Sequence, residues 1–250
     1  MDDPGQRQMF DQFTEYDRVL ILEGTGDRSD MTPSGVMNRQ LANTQTAISY
    51  ALDNQISWLI HMDSDEIFYD EGDHTWQSWD NVGQVTFTNH EAVPVDHQPT
   101  DRFVECTLFR VNGRAEFMAY GNGKSAVRVA PGVTAGIHAF AGYPGEHRAV
   151  AHPAILHYPN PSFESWVAKF ANYGKFSNFW WDNPGNPIGL EFMLRSRDLL
   201  LAARDTGSWS EARDYFATWC IDSATRERLL QAEALRRYDP MAEILERPKN

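Results

Sequence analysis

The stretch WLIHMDSDEIFY at positions 58–69 runs from apolar residues into three carboxylates, Asp63, Asp65 and Glu66, and back to apolar residues. A strand that ends in an Asp-x-Asp turn presents two hard oxygen ligands at the rim of a sheet. In α/β proteins that end of a strand is where ligands meet a phosphorylated substrate. Carboxylates alone repel a diphosphate, so the cluster makes chemical sense with a divalent cation between the two. Mn2+ or Mg2+ suits a shell of carboxylate, water and phosphate oxygens, and an added imidazole favours Mn2+. A solvated acidic turn is the plainer reading, but such turns seldom sit between runs as apolar as WLI and IFY.

Ahead of this stretch, 18–23 (RVLILE) reads as a short buried strand. The segment GTGDRSDMTPSG that follows is a loop by composition. Positions 40–53 place Leu41, Thr44, Ala47, Ile48, Ala51 and Leu52 on one helical face, and a strand over 58–62 comes next. Strand, loop, helix, strand is the pattern of a right-handed β-α-β unit with carboxylates at the end of its second strand. Residues 5–16 have weak helical periodicity. Beyond the acidic turn, 85–90, 103–110 and 125–129 alternate as strands do, and 136–140 and 154–158 are short apolar pieces, each carrying a histidine. From Ser162 the chain turns helical and aromatic, continuing as helices over 188–203 and 208–237. No repeat or linker interrupts it, so the expectation is one α/β domain of 250 residues, a mixed and largely parallel sheet flanked by helices. Its parts are a nucleotide and metal half (1–70), an acceptor-side mixed sheet (71–160) and a helical C-terminal section (161–250).

A net charge of −13 excludes nonspecific binding to nucleic acid or anionic membrane. It also requires that any anionic substrate meet locally concentrated positive charge. Two cysteines, Cys106 and Cys220, form no disulfide framework. No run approaches the ~20 apolar residues of a membrane span, and the polar start is not a signal peptide. The chain therefore reads as soluble, and as cytoplasmic if it is complete.

His157, in AILHYP, could cap the sheet or serve as a third metal ligand beside Asp63 and Asp65, and His138, in GIHAF, is its rival. As a ligand the imidazole would be neutral. The segment GNGKSAVR at 121–128 lacks Walker spacing and reads as a hairpin turn at Asn122-Gly123, from which Lys124, and less directly Arg128, could reach a diphosphate. Glu91, in FTNHEAVP, is of the right type to accept a proton from an acceptor hydroxyl; Asp96 and Glu66 compete for that part, and an inward, supporting position suits Glu66 equally. Trp76, Trp79, Trp166, Trp180 and Trp181 could stack on sugar rings, although core or lid positions suit most of them. Serine-hydrolase and dinucleotide-cofactor chemistry lack their motifs: GxSxG is absent, and GTGDRS lacks the third glycine of GxGxxG. A phosphatase-type DxDx[TV] motif would need a hydroxyl residue or Val where Glu66 stands.

WLIHMDSDEIFY resembles the W-[LI]-x-H-x-D-x-DE segment of family 2-like and family 92 glycosyltransferases with the GT-A fold. FTNHEAVP, GKSAVR with a downstream GIH, and ILHYPNPSFESWVAKF are similar to later blocks of that group in the same order, and the resemblance covers roughly residues 19–175. It implies a GT-A-like fold and metal-dependent transfer of a sugar, with inversion, from a nucleotide diphosphate donor to a hydroxyl of a carbohydrate or other acceptor. By motif it gives Asp63 and Asp65 the metal and donor diphosphate, with Asp65 also counted among the catalytic residues. It gives His157 a metal or phosphate contact, and Glu23, Gly24 and Asp27 the base and ribose. Members of the group open with a further strand and helix, which this chain is expected to begin too late to include. The alternatives are a non-catalytic carbohydrate-binding or degenerate transferase-like protein, and a sugar nucleotidyltransferase, for which GTGDRSD is a poor triphosphate loop.

Overall fold

The computed structural model describes residues 19–22, 24, 29–30, 33–70, 72, 75–173 and 191–242. The chain divides into two compact units that interleave along the sequence. One comprises Met1–His61, Trp79–Val85 and Ser125–Arg148; the other comprises Met62–Ser78, Thr86–Lys124 and Ala149–Asn250.

The described helices are α1 (Pro33–Asp53), α2 (Arg102–Glu105), α3 (Phe163–Tyr173), α4 (Glu191–Thr206), α5 (Ser210–Ala217) and α6 (Ser223–Gln231). The strands are β1 (Trp58–Ile60), β2 (Glu66–Tyr69), β3 (Val82–Ala92), β4 (Leu108–Arg110), β5 (Lys124–Arg128), β6 (Glu146–His157) and β7 (Leu235–Arg237). They form one sheet in the order β1-β5-β3-β4-β7, with β6 beside β3 and β2 on β6. A sheet with helices flanking it is compatible with the α/β class expected.

Pairing departs from expectation. The ladders β1–β5, β2–β6, β3–β4 and β4–β7 are antiparallel. The parallel β-α-β unit ahead of the acidic turn is not formed: 19–22 are not in a strand, and Leu20 is 54% exposed. Strand β3 is buried on nearly every residue, the mark of a central strand covered on both faces, so its true length outruns the alternating 85–90 segment. The expected strand over 103–110 is split. Asp101 caps the short α2 by accepting from the Phe103 N–H at 2.9 Å, and only Leu108–Arg110 extend. Positions 136–140 hold no strand, only a bridge between Thr134 and Ala141 nearby. The first half of β6 is exposed and polar, so it gives no apolar pattern to read. The helix expected over 208–237 breaks where Asp222 caps α6 through the Thr225 N–H at 2.9 Å, and its end becomes β7.

The first unit has its core at Ile48, Val127, Val133 and Phe140. In the second, Trp166 and Phe170 of α3 pack with Phe192, Leu199 and Leu200 of α4, with Phe216 of α5 and with Met118. A further cluster of Ala92, Cys106, Phe109, Leu156, Tyr158 and Tyr238 fastens β3, β4 and β6. Cys106 and Cys220 are free thiols. Among the described residues no helix is long and apolar enough to cross a membrane.

Trp166 has no exposure, and its indole N–H donates to the Ser196 hydroxyl at 3.0 Å. The substitution Trp166→Ala should cost about 3–5 kcal/mol through the cavity it leaves. Ser196→Ala should cost about 1–3 kcal/mol by stranding the indole donor. Urea denaturation followed by circular dichroism measures both.

Candidate functional site

The turn that leads into β2 closes on itself twice. The Glu66 N–H donates to the Asp63 carbonyl at 3.2 Å, and the Asp63 N–H donates back to Glu66 Oε2 at 2.8 Å. The Glu66 side chain is fully buried, and its Oε1 accepts from the Tyr120 hydroxyl. Of the two parts open to Glu66, inward support is the one it takes. Lys124, with no exposure, sets its Nζ 2.7 Å from Asp63 Oδ2 and 3.7 Å from Glu66 Oε2. One buried ammonium thus serves two carboxylates.

The second aspartate has partners of its own. Antiparallel pairing of β2 with β6 puts Glu66 opposite His157, whose Nε2 lies 3.8 Å from Asp65 Oδ2. The imidazole stacks on the Tyr120 ring at 4.7 Å between centroids. From α3, Lys169 reaches Asp65 Oδ2 at 3.3 Å and the Pro159 carbonyl at 3.1 Å. The Tyr158 N–H donates to the Asp65 carbonyl at 2.8 Å, which fixes the turn against the end of β6.

Charge in this cluster follows from burial and neighbours. Burial pushes the Glu66 carboxyl up to about 7, against the pull of Lys124 and of the Asp63 amide. Burial acts the same way on Asp65, but the hydrogen bond from His157 and the ammonium of Lys169 outweigh it, holding this carboxylate well below its usual range. Burial lowers His157 despite Asp65, so the ring is neutral at pH 7. The Tyr120 phenol is held well above its ordinary value by burial and by the charges of Glu66 and Asp63.

Strand β3 holds the segment that delivers Tyr120 and Lys124. Asn89 Nδ2 donates to the Tyr120 carbonyl at 2.8 Å, and its Oδ1 accepts from the Gly123 N–H at 3.1 Å. Glu91 accepts the Met118 and Ala119 N–H groups, one on each oxygen, both at 2.7 Å. Burial pushes this carboxyl up to about 7 against those two amides and the nearby Arg110. Gly123, at φ +69°, presses so close to β3 that a Cβ would lie 2.1 Å from the Phe87 carbonyl oxygen. It lets the chain cross the strand here and does not turn a two-residue hairpin.

Of the residues named from sequence, Asp63, Asp65, Glu66, Lys124 and His157 come together within the second unit. Lys124 does so as a buried partner of Asp63, where the sequence reading has it reaching out from a turn. Glu91 has no exposure and both oxygens occupied, so the geometry gives it the holding of 118–119, in place of proton abstraction. Arg128 belongs to the first unit, where it donates to the Val82 and Trp79 carbonyls at 3.0 and 2.9 Å and covers the Trp58 ring. His138 and Gly24 also belong to the first unit. Asp96 is exposed and pairs with His97 at 3.2 Å. Trp76 and Trp166 are core residues. Glu23, Asp27, Trp180 and Trp181 lie outside the described residues. Tyr120 and Lys169 were not singled out from sequence; Lys169 sits in the quoted SWVAKF block, and Tyr120 four residues before Lys124.

Asp63, Asp65 and His157 do not close a three-ligand cage: among the described residues no group of three or more His, Cys, Asp or Glu is arranged to hold an ion. The donor set that does face one turn, two aspartates, is what a hard cation takes when substrate phosphates complete its shell. Any cation at this turn would need oxygen ligands beyond those the described residues supply.

No family model matches the chain. Two proteins of Arabidopsis thaliana named glycosyltransferase-like are similar to it. One is 27% identical over 161 residues, covering 52% of this chain and 31% of the plant protein. The other is 25% identical over 161 residues, covering 52% of this chain and 36% of that protein. The chain thus spans about a third of the length of these relatives. They support a glycosyltransferase-like relationship.

Two substitutions test the electrostatics. Lys124→Met should destabilise by about 3–5 kcal/mol at pH 8, where Glu66 loses its partner while charged. Glu66 has its native value raised to about 7 from 4.5, so its contribution is present at low pH and is lost as pH rises through about 7. The cost of Lys124→Met should therefore shrink at pH 5, and equal costs at both pH values would contradict the pairing. Glu91→Gln should cost about 1–3 kcal/mol, because an amide offers an acceptor to only one of the two backbone N–H groups. Chemical denaturation reads both.

Proposed function

We propose that this chain is a GT-A-like glycosyltransferase that moves a sugar from a nucleotide diphosphate donor to an acceptor hydroxyl. The observation that carries the reading is the Asp63–Glu66 turn, which brings two aspartates and two lysines to one place in the chain matched by glycosyltransferase-like relatives. Three carboxylates against two ammonium groups leave the cluster without the positive charge a diphosphate needs. Asp63 and Asp65 would hold Mn2+ or Mg2+ together with the donor, and that cation supplies the charge that stabilises a departing diphosphate.

The chain's own residues do the rest by position and charge. Lys169, 26% exposed in its side chain, is the ammonium best placed to turn from Asp65 toward phosphate oxygens. Lys124 holds Asp63 in place through its 2.7 Å ion pair. Tyr120 and Glu66 brace the turn from beneath, and neutral His157 packs on Tyr120 beside Asp65. Glu91 and Asn89 hold the chain that carries Tyr120. Inversion at the anomeric carbon is part of this proposal, with a sugar-bearing donor and a carbohydrate or other hydroxyl acceptor as substrates.

The test is a thermal-shift panel of nucleoside diphosphates with and without Mn2+, joined to a nucleotide-sugar hydrolysis assay. A ligand that binds only the native state raises the melting temperature, by RT ln(1 + [L]/Kd) in free energy. One diphosphate should stabilise the wild type in Mn2+ and fail to do so after chelation. Asp65→Ala should lose both the shift and at least about 100-fold in hydrolysis, the size of effect expected when charge stabilisation of a leaving group is removed. Identical behaviour of wild type and variant under all conditions would refute the assignment.

A further inference from the structure

In the same unit as the acidic turn lies a cleft of about 440 Å³ lined by Asn112, Glu116, Phe117, Ala119, Glu191 and Phe192 among others. That volume falls within the range of small-molecule sites, roughly 300–1,000 Å³. The cleft and the turn share one stretch of chain. Ala119 and Gly121 line the cleft, while Tyr120 between them gives its hydroxyl to Glu66 and its ring to His157. The stretch is rigidly held: Glu91 takes the Met118 and Ala119 amides, and Asn112 Nδ2 donates to the Gly121 carbonyl at 2.7 Å. A molecule seated in the cleft would lie against the backbone on either side of Tyr120, whose side chain reaches Glu66 of the acidic turn.

The lining has the chemistry of a sugar subsite. Phe117 is half-buried, and Phe192 is buried at the floor of the helical section, so both contribute ring surface to the cleft. The carboxylates of Glu116 and Glu191 are exposed, and among the described residues neither is hydrogen-bonded or ion-paired. Free carboxylates accept hydrogen bonds from hydroxyls and repel anions, and aromatic faces pack against the C–H face of a pyranose. Elsewhere on this chain the exposed carboxylates of Glu211 and Glu233 pair with Arg195 and Arg114. The two at the cleft present carboxylate oxygens at its rim, Glu116 also acting electrostatically on Arg110.

We infer that this cleft is the acceptor subsite and that it takes a neutral, hydroxyl-bearing carbohydrate in preference to an anionic one. The inference rests on the glycosyl-transfer reading, but sugar binding at the cleft can be tested without it. Lactose and methyl β-glucoside serve as neutral probes and glucuronate as the charged one, each followed by saturation-transfer difference NMR on the full chain. A neutral probe should bind and glucuronate should not. The double substitution Glu116→Ala with Glu191→Ala should weaken the neutral probe about tenfold or more, the loss expected for hydrogen bonds to charged groups. Both positions are exposed, so the variant should keep the melting temperature of the wild type. Glu227→Ala, an exposed carboxylate on α6, should bind as the wild type does. No binding of either neutral probe, equal binding of glucuronate, or binding untouched by the double substitution would each overturn the assignment. Sugar binding at the cleft without any nucleotide diphosphate effect would instead leave the subsite standing and remove the transfer reaction.

Discussion

The site depends on one buried ammonium. Asp63, Asp65 and Glu66 put three carboxylates into four positions of chain, and two of those side chains are mostly or wholly withdrawn from water. Ionised groups so placed cost several kcal/mol each unless they are paired and hydrogen-bonded. Lys124 meets the cost at Asp63 directly and at Glu66 in part, while Lys169 does so at Asp65. With those partners the turn can adopt its doubly closed form, in which Glu66 and Asp63 exchange hydrogen bonds. Without Lys124, Glu66 would have to hold its proton, and an inward-facing acid of that kind would no longer accept equally from Tyr120 and from the Asp63 amide.

How Lys124 comes to lie there is set by strand β3. The NHE of β3 faces the 112–123 segment with three side chains, each doing a separate task. Asn89 takes the Tyr120 carbonyl and the Gly123 amide, His90 accepts the Asn112 N–H at 3.3 Å, and Glu91 takes the amides of Met118 and Ala119. A segment with little regular structure is thereby given fixed coordinates, because its backbone groups are satisfied by side chains of a rigid strand. Glu91 was read from sequence as a proton acceptor because a carboxylate after a strand can be either reactive or structural. What separates the two is whether its oxygens are occupied, and residue type carries no information on that.

The same limit explains which parts of the fold were legible. The acidic turn, the α1 face and the aromatic α3 were readable because their patterns are local: a run, a helical period, a burst of charge. The strand expected at 18–23 failed because an apolar run of that length is equally a strand or an irregular apolar segment. The pairing of β1 with β5 and of β2 with β6 was not readable, since register depends on partners distant in sequence. Sequence separates His157 from His138 only weakly, since both end short apolar pieces; the β2–β6 register sets His157 opposite Glu66 in the second unit, while His138 belongs to the first. Lys169 was missed for the reason that a lone lysine on an amphipathic helix looks like solvent-facing charge, and its reach to Asp65 is visible only once α3 is docked.

The chain's strong negative charge now has a local counterpart. The positive charge of Lys124 and Lys169 is committed to carboxylates, so the cluster by itself does not attract an anion. On the proposed function, a cation bound with a donor would weaken the hold of Asp63 and Asp65 on Lys124 and Lys169, and Lys169, on a helix and part-exposed, is the one able to respond. Lys124 is fixed by burial and by the Tyr120 ring 5.5 Å away. One lysine is thus suited to building the turn and the other to meeting what binds there. That division follows from exposure alone, since the two side chains are chemically the same.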